Sequence, residues 1–135
     1  MVNAMMRWTL VSVMLSVMMF AAAPARSAVA TQMWKCEMGD DTTEEEVEEA
    51  AKKWLKIARQ MNGGDQLEAF VYFPVAVNVV GNTDFMFIVV APSFAEWGKF
   101  WDEYQVSDAA DADQANADVD CPDSALWQSI KVETD

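Results

Sequence analysis

Residues Phe85–Ala91 read FMFIVVA, an uninterrupted run of seven apolar residues. A strand that is covered on both faces reads in this way, whereas a strand with one face in water alternates apolar and polar residues. Leu67–Val80 (LEAFVYFPVAVNVV) is nearly as apolar, and the turn residues Gly81–Asp84 separate the two runs. The pattern predicts a β-hairpin. Pro74 cannot donate a ladder hydrogen bond, so it indicates an edge strand or a bulge.

A helix is predicted on each side of this hairpin. Thr43–Met61 begins with a capping box, and its acidic first half and basic second half follow the order that the helix dipole favours. Its run of glutamates is interpreted as a solvated face rather than a cation site. Ser93 and Glu96 form a second potential capping box before an aromatic helix that ends near Tyr104.

Two shorter strands complete the predicted domain. Met33–Met38 (MWKCEM) and Leu126–Val132 (LWQSIKV) alternate, and Cys121–Asp123 before the last strand is predicted to be a turn. The order is then β-α-β-β-α-β, a ferredoxin-like α+β fold with a four-stranded antiparallel sheet. In this topology the second strand lies at an edge, which suits Pro74, and the fourth strand lies beside the first.

The first thirty residues have the pattern of a signal peptide. Arg7 precedes the uncharged apolar segment Trp8–Ala23, and Ala28-Val29-Ala30 forms an A-x-A cleavage site. A membrane anchor is the alternative, because the apolar segment is only slightly shorter than a bilayer span. We expect cleavage to leave residues 31–135 as a single α+β domain that is periplasmic or secreted and has no membrane contact.

Cys36 and Cys121 both lie in the part that would be exported. Two cysteines in an oxidising compartment most simply form one disulfide, here closing a loop of about 85 residues, and two buried free thiols are the alternative.

The net charge and the absence of histidine exclude several function classes. The 135 residues carry a net charge of −13 and include no histidine, which excludes Ser-His-Asp hydrolysis and histidine-ligated zinc or haem. Such an acidic chain is a poor ligand for nucleic acid. The acidic Ala/Asp tract at residues 106–120 lacks the glycine and glutamate of a calcium loop, so it is predicted to be a loop or a weak helix. No metal and no cofactor is predicted.

The doubly apolar hairpin also predicts a homodimer. Two helices cover only one face of a four-stranded sheet, so a second copy of the chain is expected to cover the other face. The alternatives are a different partner or an exposed apolar face. Trp34 and Trp127, on adjacent predicted strands, are expected to face the second copy.

Met33–Val132 resembles the dimeric α+β barrel superfamily, which includes the antibiotic-biosynthesis-monooxygenase-like, EthD-like and stress-responsive barrel domains. The resemblance depends on the element order, the length, the doubly apolar hairpin and the segment PSFAEWGKFWDEY at Pro92–Tyr104. It implies a cavity between the helices and the sheet of each protomer. Some members of that superfamily oxygenate polyphenols without a cofactor, using Asn, Trp, Arg, Tyr or His side chains in this cavity. The resemblance therefore implies that such side chains are the ones to look for in this sequence.

The matching residue types that we place near that cavity are Tyr72, Asn78, Trp97 and Trp101. We find no nucleophile elbow, phosphate loop or redox thiol pair among the motifs of the chain. The predicted function is therefore non-catalytic binding of a small apolar or aromatic molecule. A cofactor-independent monooxygenase-like enzyme and an acidic periplasmic interaction domain are the alternatives.

Overall fold

A computed structural model describes residues 28–76, 83–110 and 118–132. Its four strands form one antiparallel sheet in the order β2-β3-β1-β4, with β2 at one edge and β4 at the other. This arrangement confirms the ferredoxin-like α+β prediction. The elements are β1 (Val29–Met38), α1 (Glu44–Ala58), β2 (Glu68–Tyr72), β3 (Phe85–Ala91), α2 (Phe94–Tyr104) and β4 (Val119–Ser129).

The last strand is longer than the sequence suggested. β4 begins at Val119 and runs through Pro122, so the predicted turn at Cys121–Asp123 is wrong. An edge strand tolerates a proline, because one side of the strand forms no ladder hydrogen bonds. The register shifts between Lys35 and Glu37 of β1 at this point. Within the acidic tract 106–120, residues 108–110 are helical, 119 and 120 belong to β4, and 111–117 lie outside the described residues.

The first strand also begins earlier than predicted. Val29 pairs with Ser129, and Ala30 pairs with both Ala91 and Gln128. Ala30 is fully buried. The predicted signal-peptide boundary after Ala30 therefore falls inside β1, two residues from its start.

Helix caps hold both helices at the predicted starts. The Thr43 hydroxyl accepts a hydrogen bond from the Glu46 amide, and the Glu46 carboxylate accepts one from the Thr43 amide, which completes the predicted capping box of α1. At α2, the Ser93 hydroxyl accepts from the Glu96 amide, so the first half of the second predicted box is present.

Both helices pack on the same face of the sheet, here called the covered face. It carries Trp34 and Cys36 of β1, Phe87 and Val89 of β3, and Val71 of β2. The loop after α1 approaches α2 closely at Gly63, whose φ of 77° and whose contact with the Glu96 carbonyl leave no room for a side chain. Within the described ranges, no helix combines the length and apolarity needed to cross a bilayer.

The predicted disulfide is present between Cys36 and Cys121, with their Cα atoms 4.0 Å apart. It joins β1 to β4 beside the register shift. Cys36 is fully buried against Val47 of α1 and Phe85 of β3, so the disulfide belongs to the covered face.

Candidate functional site

The opposite face of the sheet, here called the open face, has no helix over it. Because side chains alternate along each strand, the antiparallel registers arrange this face in rows that cross the sheet from β2 to β4. The rows are Glu68, Val90, Thr31 and Trp127; then Phe70, Ile88, Met33 and Ala125; then Tyr72, Met86, Lys35 and Asp123.

Large aromatic side chains stand exposed on the open face. Phe70 is 41% exposed, Tyr72 54% and Trp127 57%. Phe70 and Tyr72 contact each other, with ring centroids 6.2 Å apart. Single exposed apolar residues are normal on a soluble protein, whereas several large ones on one face of a sheet are less common.

These side chains border a trough of about 610 Å³, here called the open-face trough. The volume lies within the range of about 300–1,000 Å³ that small-molecule sites occupy. Polar groups lie at one end, where the Thr31 and Ser129 hydroxyls are 2.6 Å apart and share a hydrogen bond. The apolar lining consists mainly of Met33, Phe70, Tyr72, Ile88, Val90 and Trp127.

A second, smaller groove of about 320 Å³ lies between β2 and α1. Its lining combines apolar side chains, among them Ala51 and Leu55, with the charged Glu48 and Lys52 of α1. Phe70 and Tyr72 of β2 border both this groove and the open-face trough.

Aromatic side chains fill the space between the helices and the covered face. Trp97 is 5% exposed and stacks on Trp101 with centroids 5.3 Å apart, while Phe100 is fully buried. The Trp54 indole N–H donates to the Tyr104 hydroxyl at 3.2 Å. Ring contacts also link Trp34 to Phe87, Trp97 and Trp101. The cluster is a packed core in which each ring contacts other rings.

The structure separates the predicted site residues. Tyr72 lies on the open face, whereas Trp97 and Trp101 lie on α2 above the covered face. Asn78 lies outside the described residues. The sheet therefore stands between Tyr72 and the two tryptophans, and the structure does not bring them together in one site. Whether any of them binds a ligand stays a prediction.

The two strand tryptophans also differ from expectation. Trp127 lies on the open face as predicted, but Trp34 packs under α2, so the prediction that both face one way is wrong. The register explains the difference, because Trp127 pairs with Thr31, which lies three residues before Trp34 on β1. Residues that are an odd number apart on a strand point to opposite faces. Phe70 was not predicted as a site residue, although its alternation with Ala69 and Val71 could have indicated the open face.

Charges on α1 lie on the other side of the sheet from the trough. The Lys52 ammonium donates to the Glu49 carboxylate at 2.7 Å, and this hydrogen bond lowers the pKa of Glu49 and raises the pKa of Lys52. Hydrogen bonds from Thr43 lower the pKa of Glu46. All three groups are exposed, as expected for the solvated helix face. Among the residues that the structure describes, no three His, Cys, Asp or Glu side chains form a potential metal site.

No protein-family model matches this chain significantly, and no curated protein does so either. The element and sheet order nevertheless define its class as ferredoxin-like α+β. Similar solved structures include a dimeric ferredoxin-like protein of unknown function from Thermobifida fusca, with 15% identity over 78% of this chain and 93% of that chain and a TM-score of 0.46. A hypothetical Arabidopsis thaliana protein has 11% identity over 81% and 92% of the two chains, with a TM-score of 0.46.

A mutant chlorite dismutase from Candidatus Nitrospira defluvii is also similar, with 13% identity over 78% of this chain and a TM-score of 0.41. This chain spans only 41% of the length of that enzyme. Similarity at this level carries no argument about ligands, reactions or assembly. The narrower resemblance to the monooxygenase-like, EthD-like and stress-responsive barrel families stays a prediction.

Proposed function

We propose that this protein is an exported, non-catalytic binding protein that holds a small, flat, apolar or aromatic molecule in the open-face trough. The observation that carries the proposal is the trough itself, which places Phe70, Tyr72 and Trp127 around an apolar floor. Sites for small molecules are lined in this way, mainly by apolar and aromatic side chains with a few polar groups that orient the ligand. The Thr31–Ser129 hydroxyl pair supplies such polar groups at one end.

Export is supported by the disulfide and by the signal-peptide pattern. Disulfides form and persist in oxidising compartments, and a disulfide joins Cys36 to Cys121.

The position of signal-peptide cleavage decides whether β1 stays complete. Because Ala30 is buried in β1, cleavage after Ala25 at the alternative site Ala23-Pro24-Ala25 would keep the strand intact, whereas cleavage after Ala30 would shorten it. We propose cleavage after Ala25. N-terminal sequencing of the exported protein tests this, and a mature chain that begins at Thr31 would contradict it.

The binding proposal is tested with a neutral, flat probe. N-phenyl-1-naphthylamine is titrated into the protein purified from an oxidising compartment, and its fluorescence is followed. We expect saturable binding that Phe70→Ala or Trp127→Ala weakens by at least about tenfold, since each removes a large part of the aromatic wall. Phe94→Ala is the matched control. Phe94 is 43% exposed, slightly more than Phe70 at 41%, but it lies on α2, on the other side of the sheet.

Two outcomes would contradict this proposal. The first is the absence of saturable binding by the unmodified protein. The second is binding that Phe94→Ala or Trp101→Ala weakens and Phe70→Ala does not, because that result would place the ligand near α2 instead.

A further inference from the structure

We propose that the ligand of the open-face trough is an aromatic anion, a flat apolar molecule that ends in a carboxylate. Lys131 and the Thr31–Ser129 hydroxyl pair hold that carboxylate. The inference rests on the proposed function, because it names the class of ligand that the same trough takes. It goes further by assigning a charge to the ligand and a direction in which the ligand lies.

The polar side chains of the trough lie together at one end. The Thr31 and Ser129 hydroxyls are hydrogen-bonded to each other, and Lys131, which also borders the trough, follows Ser129 by two residues. Two residues of extended chain span about 7 Å. The flexible four-carbon stem of the lysine lets its ammonium reach back toward the hydroxyls. One end of the trough is therefore rich in hydrogen-bond donors, while the rest of its lining is mainly apolar.

The charge in the trough is opposite in sign to that of the whole chain. The chain has 22 aspartate and glutamate residues against 9 lysine and arginine residues. As far as the structure describes the trough, its lining includes Lys131 and no aspartate or glutamate. A neutral apolar ligand gains little from this lysine, whereas a carboxylate gains a charge-assisted hydrogen bond. The lining therefore favours an anion that carries an apolar body.

The hydroxyl pair adds a second donor for the same carboxylate. Each hydroxyl has one proton, and the two oxygens share a single hydrogen bond at 2.6 Å, in which either can be the donor. The proton of the other hydroxyl is then left to donate to a ligand. Thr31 is only 9% exposed, and its place beside β4 is fixed by the pairing of Thr31 with Trp127. A carboxylate has two acceptor oxygens, one for this proton and one for the Lys131 ammonium.

The described acidic groups of the open face lie far from this end. Glu68 shares the row of Trp127 but is three strands away, or about 14 Å. Asp123 precedes Ser129 by six residues, or about 20 Å along β4. Both separations exceed the Debye length of about 8 Å at physiological ionic strength. The repulsion between these acids and a carboxylate beside Ser129 is therefore largely screened.

The same geometry gives the ligand a direction. Its carboxylate lies at the Thr31 hydroxyl, and its rings extend along the strands over Met33 and Ile88, one row away, toward Phe70. Adjacent rows are two residues apart, or about 7 Å, a distance that two fused aromatic rings can bridge. Trp127, which pairs with Thr31, flanks the rings near the carboxylate.

Two compounds of nearly the same shape test the charge of the ligand. 2-Naphthoate carries a carboxylate that is ionised at pH 7, and 2-naphthamide carries a neutral amide in its place. Each compound is titrated into the protein in a calorimeter, so that neither measurement depends on a fluorescent probe. We expect 2-naphthoate to bind about tenfold more tightly, since hydrogen bonds to a charged group are roughly twice as strong as neutral ones.

Two lysine variants locate the charge that the carboxylate contacts. Lys131→Gln should reduce the affinity ratio of the two compounds from about tenfold to about threefold or less, because the ammonium is lost. Lys35→Gln is the matched control and should leave the ratio unchanged. Lys35 is also an exposed lysine on the open face, but it does not border the trough.

The possible results separate the two proposals. Equal affinities of the unmodified protein for the two compounds would overturn the anionic ligand and leave the proposed function in place. So would a ratio that Lys131→Gln leaves unchanged, or that Lys35→Gln reduces by as much as Lys131→Gln does. If neither compound nor N-phenyl-1-naphthylamine bound, the proposed function itself would be overturned, and this inference with it.

Discussion

The two faces of the sheet carry similar residues and differ in what lies above them. On the covered face, Trp34 contacts Phe87 with ring centroids 5.6 Å apart, and α2 adds Trp97 and Trp101. On the open face, Trp127 is 57% exposed on the strand next to Trp34. An aromatic residue that is enclosed by other rings stabilises the fold, whereas an aromatic residue that is left exposed is available to a ligand or a partner.

This difference teaches that aromatic enrichment by itself does not identify a site. Trp97 and Trp101 attracted attention because they are spaced by one helical turn, yet they pack against each other and against Phe100. Phe70 and Tyr72 are spaced as alternate strand residues and point away from both helices. The side of the sheet, rather than the residue type, assigns the role.

The largest expected effect comes from the disulfide on the covered face. Cys36→Ser combined with Cys121→Ser removes a crosslink between residues 85 positions apart. The loop-entropy relation predicts a loss of about 4–5 kcal/mol in the free energy of unfolding, because the unfolded chain regains its freedom. Urea denaturation measures the loss, and treating the unmodified protein with reductant should reproduce it.

The same variant sharpens the comparison between the faces. Under conditions where it remains folded, probe binding should be unchanged, since neither cysteine borders the open-face trough. Equal melting temperatures with and without reductant would contradict a structural role for the disulfide.

The next effect compares one phenylalanine from each face. Phe100 is fully buried and contacts Trp54, Trp97 and Tyr104, so Phe100→Ala should lower the free energy of unfolding by about 3–5 kcal/mol. Phe70 is 41% exposed, so Phe70→Ala should lower it by less than half as much in the monomer.

Probe binding should rank these two variants in the opposite order. Phe70→Ala should lose probe binding, whereas Phe100→Ala should retain it as long as it is folded. Probe titration at low temperature in buffer without denaturant measures both. If Phe70→Ala and Phe100→Ala lowered the free energy of unfolding equally in dilute, monomeric samples, Phe70 would be as buried as Phe100 and the open face would be covered.

The sequence predicted the elements whose patterns are locally complete. β3 has the predicted bounds Phe85–Ala91, because turn residues flank the run of seven apolar residues on both sides and so mark where the strand begins and ends. The start of α1 followed from Thr43 and Glu46. The start of β4 was missed because Pro122 and the acidic residues beside it resemble a turn, and only pairing with β1 makes them a strand.

The candidate site was less predictable for a physical reason. A strand pattern tells which residues share a face, but not which of its two faces the helices will cover. Tyr72 was therefore grouped with Trp97, although β2 directs Tyr72 away from α2. Register decides this, and register is set by long-range pairing between strands.

The smallest expected effect concerns the cap that holds α1 over the covered face. Thr43→Ala removes the hydroxyl that accepts from the Glu46 amide and donates to the Glu46 carboxylate. Loss of such a cap lowers the free energy of unfolding by about 1 kcal/mol near neutral pH. Probe binding should be unchanged, because the cap lies on the far side of the sheet from the trough.

Acid should reduce the difference in the free energy of unfolding between the unmodified protein and Thr43→Ala. Hydrogen bonds from the Thr43 amide and hydroxyl hold the pKa of Glu46 below its ordinary value of 4.5, so Glu46 contributes stability above that value and loses it as the pH falls through the lowered pKa. Thr43→Ala retains the amide bond and loses the hydroxyl bond, so it has less of this contribution to lose. Urea denaturation of both proteins at pH 7 and below pH 4 measures the gap, and a gap that widens in acid would contradict the Thr43–Glu46 interaction as the cause.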